Sequence, residues 1–294
     1  MEQFCGVFPY IVSPVNEDGT VREDVLKNLV EHLIESGVHG LTPLGSTGEF
    51  AYLTWEIRKK IVEIVVKSAS SKVPVVAGVF HRSSMEAARQ AQEFEDMGVD
   101  GILAVLDTYF PLNSDQVFSY FETIAKKVQC PIVIYTNPRF DNTVISPEII
   151  GRLADIPNVL YLKDASGNMG KLMTIITNYG NNIKVFSASA TIPLFVMMMG
   201  GVGWMAGPAC IIPKQSVKLY NLFQEGKWDQ AIDLQKRLWQ MNVAFQKYNL
   251  ATCIKAGLEI QGFDVGDPIP PLTPLSDEGR KEVIRILADL KDCC

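Results

Sequence analysis

Lys163 closes a run of four apolar or aromatic residues, Val159-Leu160-Tyr161-Leu162, and a small-residue turn, Asp164-Ala165-Ser166-Gly167, follows it. The run has the composition of a buried strand, so the lysine stands at a strand's C-terminal end. Lysine is almost never fully buried without a partner. Desolvation lowers the proton affinity of its ammonium from an ordinary pKa of about 10.4. The neutral amine that results is a nucleophile towards carbonyl carbon. Two further stretches carry groups that suit such an amine. Tyr135-Thr136-Asn137-Pro138 ends another apolar run, with a phenol able to shuttle protons. Gly45-Ser46-Thr47-Gly48-Glu49 places two hydroxyls and several backbone N–H groups between glycines, a pattern that suits a carboxylate. No GK[ST] follows it, so it is not a P-loop.

Each of these groups also has a plain structural role open to it. A lysine at a strand end can snorkel into solvent. A tyrosine there can cap the barrel mouth as an aromatic plug. A Gly-Ser turn can be no more than a helix N-cap. Taken one at a time, the three stretches leave these alternatives open.

The remaining candidate positions are weaker. Asp107-Thr108-Tyr109-Phe110 and Phe80-His81-Arg82 mark two more strand ends. His81 suits a rim position facing solvent or substrate rather than a general base. His32 falls in a helical pattern and His39 at the start of a strand, and both are expected to be structural. The run from Gly201 to Gly207 lacks the GxGxxG spacing and reads as close packing of a strand. Lys255 lies in a helical pattern far from any strand end and is expected to be structural.

The elements that must position these groups alternate between two periodicities. Short apolar strands are expected at 6–12, 40–44, 73–79, 101–105, 131–135, 159–163, 183–187 and 201–206. Amphipathic helical patterns fall between them, including 22–36, 54–70, 84–97, 114–128 and 147–154. About eight βα units over this length predict an α/β fold, a (β/α)8 TIM barrel. A doubly wound open sheet is the alternative. It usually shows a phosphate fingerprint after its first strand, and Val12-Ser13-Pro14-Val15 is not one. After Gly226 the alternation stops. Helical patterns at 227–247 and 250–261, a proline-rich connection at 267–274 and a last helix from Ser276 to about Leu290 predict a C-terminal helical extension. The expected organisation is a barrel over 1–225 and a helical unit over 226–294.

The chain of 294 residues is 47% hydrophobic, enough for a large core. Its net charge of −6 and lack of any basic run leave no electrostatic footprint for nucleic acid or an anionic membrane. No membrane span and no secretory signal are visible, which predicts a cytoplasmic protein. The six cysteines are scattered, without CxxC pairs or histidine ligand spacing. Reduced thiols are expected, with no disulfide framework and no metal. The Cys293-Cys294 end is no prenylation box, because the fourth residue from the end is Lys291.

The three motifs, Gly45-Ser46-Thr47-Gly48-Glu49, Tyr135-Thr136-Asn137-Pro138 and Leu162-Lys163-Asp164-Ala165-Ser166-Gly167, resemble in order and spacing the signatures of the dihydrodipicolinate synthase / N-acetylneuraminate lyase family. The resemblance covers essentially the whole chain. It implies a class I aldolase-type lyase that needs no cofactor. Lys163 would form a Schiff base with pyruvate or a related 2-keto acid, and a C–C or C–O bond would be made or broken at the adjacent carbon. Ser46, Thr47 and Gly48 would hold the carboxylate, and Tyr135 would carry protons. Tyr109 matches the tyrosine that, in the synthases, crosses a subunit interface and relays through the hydroxyl at Ser46. That implies a homo-oligomer, a dimer or a tetramer. Substrate contacts are also implied for Arg139, Phe140, Ala188 and Met205.

Several positions depart from the synthase pattern. Phe140 stands where the synthases carry an arginine for the second substrate's carboxylate, and its neighbour Arg139 is the available cation. Thr108 replaces a tyrosine. Trp55 and Arg58 match histidines associated with lysine feedback. Phe186-Ser187-Ala188-Ser189-Ala190 lacks the Gly-Asp-Asp pattern of synthases and the acidic residue of sialic acid lyases. The expected second substrate is therefore an aldehyde other than aspartate semialdehyde, or the substrate is a keto-sugar acid. The alternatives are a true 4-hydroxy-tetrahydrodipicolinate synthase, a keto-deoxy sugar acid aldolase or dehydratase, and a 2-keto acid sensor without turnover. An unrelated phosphate-binding barrel ranks last.

Overall fold

The structure is a computed structural model, and it describes residues 4–138, 145–188 and 192–293. In chain order its main elements are β1 (Gly6–Pro9), α1 (Glu23–Glu35), α2 (Trp55–Ala69), β2 (Val76–Phe80), α3 (Ser84–Asp96), β3 (Gly101–Val105), α4 (Ser114–Ala125), β4 (Ile132–Thr136), α5 (Pro147–Leu153), β5 (Val159–Asp164), α6 (Met169–Tyr179), β6 (Lys184–Ser187), α7 (Pro193–Met198) and β7 (Gly203–Ala206). Then come α8 (Pro208–Ile211), α9 (Pro213–Gln224), α10 (Trp228–Lys247), α11 (Leu250–Ile260) and α12 (Asp277–Leu290). The strand order is β1-β7-β6-β5-β4-β3-β2. The fold is the class the alternation predicts, an α/β (β/α)8 barrel with a C-terminal helical extension. The chain divides into two compact units, one of residues 75–205 and one of residues 1–74 with 206–294.

In the unit of residues 75–205, every strand pair with a defined register is parallel. Nearly every strand residue is buried, as in a parallel sheet that has no solvent face. That explains the continuous apolar runs in place of alternation. Three of the unit's helices, α4, α5 and α6, begin where side chains satisfy their first amides. Asn113 and Gln116 form a reciprocal capping box at α4. Ser146 and Asn168 cap α5 and α6.

The other unit contains β1, α1, α2 and the five helices after β7. The strand expected at 40–44 is reduced here to a bridge between Tyr10 and Thr42. Its backbone still bonds on both sides. Thr42 N–H donates to Pro9 O at 3.0 Å, Ile11 N–H to Thr42 O at 3.0 Å, and Leu41 N–H to Pro74 O at 2.9 Å. The ladder stops at the next residue because Pro43 has no N–H to give. Leu44 then turns left-handed, with φ 59°. The three C-terminal helices fall where the sequence pattern places them. His39 and His32 are structural, as expected. Val7 N–H donates to His39 Nδ1 at 3.1 Å, and the His32 ring lies 5.2 Å from that of Phe263. Among the described residues, no helix is long and apolar enough to cross a membrane.

Candidate active site

Lys163 sits at the end of β5 in register with Tyr135 at the end of β4. Paired residues on adjacent strands point to the same side of a sheet, so their side chains meet. The Lys163 ammonium nitrogen lies 3.6 Å from the centroid of the Tyr135 ring. Both residues are buried, Lys163 at 2% exposure and Tyr135 at 3%. Burial drives the Lys163 pKa well below the ordinary lysine value, and the nearby Asp164 carboxylate opposes the shift without cancelling it. The Tyr135 Oη accepts a hydrogen bond from Asn137 Nδ2 at 2.9 Å. That bond occupies an oxygen lone pair and leaves the phenol proton as a donor.

The next residue on each strand points the opposite way, and there Thr136 is paired with Asp164. Thr136 Oγ1 donates to Asp164 Oδ2 at 2.9 Å, and Lys171 Nζ in the first turn of α6 lies 2.9 Å from the same oxygen. The other oxygen accepts from the backbone N–H of Ser166 at 2.8 Å and from its hydroxyl. Asp164 is thus a fully satisfied buried carboxylate that ties the ends of β4 and β5 to α6. The sequence showed Asp164 as part of a motif but not this role. The available signal was Lys171, a lysine at the start of a helix seven residues past a buried acid.

In the other unit, Ser46–Gly48 forms a single 3₁₀ turn. Gly45 and Gly48 are required by close approach. A Cβ on Gly45 would lie 2.2 Å from the Tyr10 ring, and one on Gly48 would lie 2.8 Å from the carbonyl oxygen of Ile11. Ser13 Oγ donates to Gly48 O at 2.6 Å and pins the turn from the β1 side. Thr47 is wholly buried, and its hydroxyl has no hydrogen-bond partner among the described residues. A buried hydroxyl without a partner costs free energy, and a ligand oxygen would satisfy it. The turn is not merely a helix N-cap, since α2 is capped by Thr54, whose side chain accepts from Ile57 N–H. Sequence reasoning missed the use of Glu49, which is buried against Lys255.

The other expected site residues are placed as follows. Tyr109 is exposed, with its ring edge-on to Phe110 at 4.8 Å. His81 is exposed, and its Nδ1 accepts from Ser83 N–H at 3.0 Å. Met205 is buried in β7. Ala188 follows β6, and its N–H donates to the Asp164 carbonyl at 3.3 Å. Arg139 and Phe140 lie outside the described residues, as do Ser189 and Ala190. Among the described residues no group of His, Cys, Asp and Glu could hold a metal ion.

The model of the dihydrodipicolinate synthetase family matches residues 3–290. The chain belongs to that family. Similar members include 4-hydroxy-tetrahydrodipicolinate synthases from Methanothrix thermoacetophila, 32% identical with 98% of each chain covered, and from Phenylobacterium zucineum, 33% identical with 97% of each covered. Among solved structures, a putative dihydrodipicolinate synthetase from Pseudomonas aeruginosa matches with a TM-score of 0.95 and 27% identity, over 98% of this chain and 100% of that one. A prophage protein of the dihydrodipicolinic acid synthase family from E. coli K12, solved in complex with pyruvate, matches with a TM-score of 0.94 and 25% identity over the whole of both chains. Membership of the dihydrodipicolinate synthetase family makes this chain a lyase of the aldolase type, in the carbon–carbon lyase class.

Proposed function

We propose that the protein forms a Schiff base between Lys163 and pyruvate or a related 2-keto acid. The observation that carries this is the Lys163 amine, buried at 2% exposure against the Tyr135 ring, where burial lowers its proton affinity. The amine attacks the keto carbon, and the carbinolamine loses water to give an iminium. The iminium draws electrons from the adjacent carbon, so loss of a proton or cleavage of a bond there gives an enamine. The enamine carbon then takes up a proton or attacks an aldehyde.

Tyr135 donates and accepts protons in these steps, held by Asn137. Ser46, Thr47 and Gly48 bind the keto acid's carboxylate, and the Thr47 hydroxyl, which has no partner among the described residues, supports that role. Ala188 and Met205 contribute to the substrate's surroundings, and Arg139 and Phe140 to those of the second substrate. Tyr109, exposed on the single chain, completes a relay across an interface in a homo-oligomer, a dimer or a tetramer. The barrel occupies 1–225 and the helical unit 226–294, and the enzyme works in the cytoplasm.

The second substrate is an aldehyde other than aspartate semialdehyde, or the enzyme acts on a keto-deoxy sugar acid. Phe140 motivates this, because an aromatic ring does not replace an arginine's paired donors to a carboxylate. The relatives named as 4-hydroxy-tetrahydrodipicolinate synthases favour the second reading, that the acceptor is aspartate semialdehyde. Steady-state rates with pyruvate and a panel of aldehydes, and with keto-deoxy sugar acids alone, decide between them. Aspartate semialdehyde is expected to be a poor acceptor. Turnover with it that exceeds every other member of the panel contradicts this part of the proposal.

A further inference from the structure

Glu49 is buried directly after the Ser46–Gly48 turn, and its two oxygens face different nitrogens. Oε1 accepts from the backbone N–H of Ile269 at 2.7 Å. Oε2 lies 2.7 Å from Lys255 Nζ, with the two side chains 0% and 1% exposed. Lys255, in the middle of α11, also donates to the carbonyl of Asp267 at 2.8 Å. A buried ion pair is poor at adding stability, because taking both charges out of water costs about as much as their attraction returns. Stability alone therefore does not account for the pair.

The turn beside it is held in an unrelaxed state. Leu44 and Glu49 bracket it with φ 59° and 52°, left-handed conformations that non-glycine residues adopt at a cost of roughly 1 kcal/mol or more each. Inside the bracket is the Thr47 hydroxyl, which has no hydrogen-bond partner among the described residues. Strain and an unsatisfied buried donor persist together where the surroundings impose them for a ligand's sake. The proposed ligand is an anion, and Glu49 puts a negative charge next to its binding turn.

We propose that Lys255 is a positioning residue of the carboxylate-binding turn: it cancels the Glu49 charge, so the turn accepts an anionic substrate. This rests on the assignment of the 2-keto acid's carboxylate to Ser46, Thr47 and Gly48. It extends that assignment to a residue 208 positions beyond Thr47, on a different element. The pair is charge-balanced by design: remove Lys255 alone and a buried negative charge faces the substrate, remove both charges and the field is restored.

The test compares Lys255→Met, Glu49→Gln and the double variant with the wild type. Pyruvate binding is measured by titration calorimetry, and half-saturation by borohydride trapping. Lys255→Met is expected to weaken pyruvate binding and raise half-saturation about tenfold, with the limiting trapping rate changed by less than about twofold. The double variant is expected to recover most of that loss although it still lacks Lys255. Glu49→Gln is expected to bind pyruvate at least as tightly as the double variant does, a comparison that stands even if Lys255→Met does not fold. Unchanged binding in Lys255→Met, a double variant as weak as the single, or Glu49→Gln weaker than the double variant overturns the proposal. Wild-type protein that binds pyruvate without trapping it removes the Schiff base and leaves the binding comparison in force. Wild-type protein that neither binds nor traps it overturns both.

Discussion

The Lys163 nitrogen stands 3.6 Å over the centre of the Tyr135 ring, with both residues at the ends of neighbouring parallel strands in direct register. The ring shields the amine from water on one side, and its hydroxyl is held by Asn137. Tyr135→Phe keeps the ring and removes only the hydroxyl. The expected result is a loss of about 10²- to 10⁴-fold in turnover, the usual worth of a positioned proton-transfer group. The cost in folding stability is about 1 kcal/mol from the lost Asn137 bond. Turnover within threefold of wild type, roughly 0.65 kcal/mol, would show that the phenol carries no proton.

The proton balance of Lys163 sets a pH dependence with a definite sign. Its folded-state pKa is well below 10.5, chiefly through burial. Between that depressed value and 10.5 the unfolded chain holds the extra proton, so stability rises as pH rises through this window. Below the depressed value the full cost applies. Lys163→Met keeps the volume and removes the titration. Chemical denaturation is expected to find the variant more stable than wild type at neutral pH, with the advantage shrinking as pH climbs. A variant less stable at every pH contradicts the depressed pKa.

Asp164 opposes that depression, and Lys171 holds the Asp164 charge. Asp164→Asn removes a negative charge next to the amine and further disfavours the ammonium. The midpoint of the pH profile for borohydride trapping is therefore expected to move to lower pH. Lys171→Met leaves the buried carboxylate without its cation, which is expected to cost about 3 kcal/mol in stability and to move the midpoint to higher pH. Shifts of both midpoints in one direction would contradict this division of roles.

Gly207 reaches the Ser46–Gly48 turn from the start of α8. Its φ is −58°, ordinary for any residue, so a substitution there is purely steric. A Cβ at this position would lie 2.2 Å from Thr47 Oγ1. Gly207→Ala is expected to displace the Thr47 hydroxyl and weaken pyruvate binding about tenfold, with little change in the trapping rate at saturation. Unchanged binding would show that Thr47 Oγ1 does not contact the substrate.

The thiols report on burial independently of the chemistry. Burial pushes Cys130 and Cys210 up to about 12 and Cys253 up to about 11. The thiolate is the reactive form, so these three should resist alkylation in native protein at mildly alkaline pH. Cys5 is exposed and free and should react first. Mass mapping after brief alkylation checks this, and rapid labelling of Cys210 before Cys5 would contradict the packing of α8.

The meeting of Lys163 and Tyr135 was legible because strand ends declare themselves. Leu162-Lys163-Asp164 and Ile134-Tyr135-Thr136 interrupt apolar runs with a polar group, and strand register then brings Lys163 to Tyr135. The strand at 40–44 was legible by composition but not by extent. Its apolar residues fit a buried strand, while Pro43 ends the ladder. The Glu49–Lys255 pair was not legible. A helical pattern shows that Lys255 lies on α11, but only tertiary packing reveals that this face is buried and that a carboxylate from a distant turn awaits it. The same holds for Lys171, whose place on a helix's first turn looks ordinary until Asp164 is placed beside it.

The most direct test of the account is covalent. Protein is incubated with pyruvate, reduced with borohydride, and analysed by intact mass and peptide mapping, with Lys163→Ala alongside. The expected result is one reduced pyruvate adduct per chain, on the peptide that carries Lys163, and none in the variant. An adduct on another lysine, or none with pyruvate or any longer 2-keto acid, would contradict the role of Lys163.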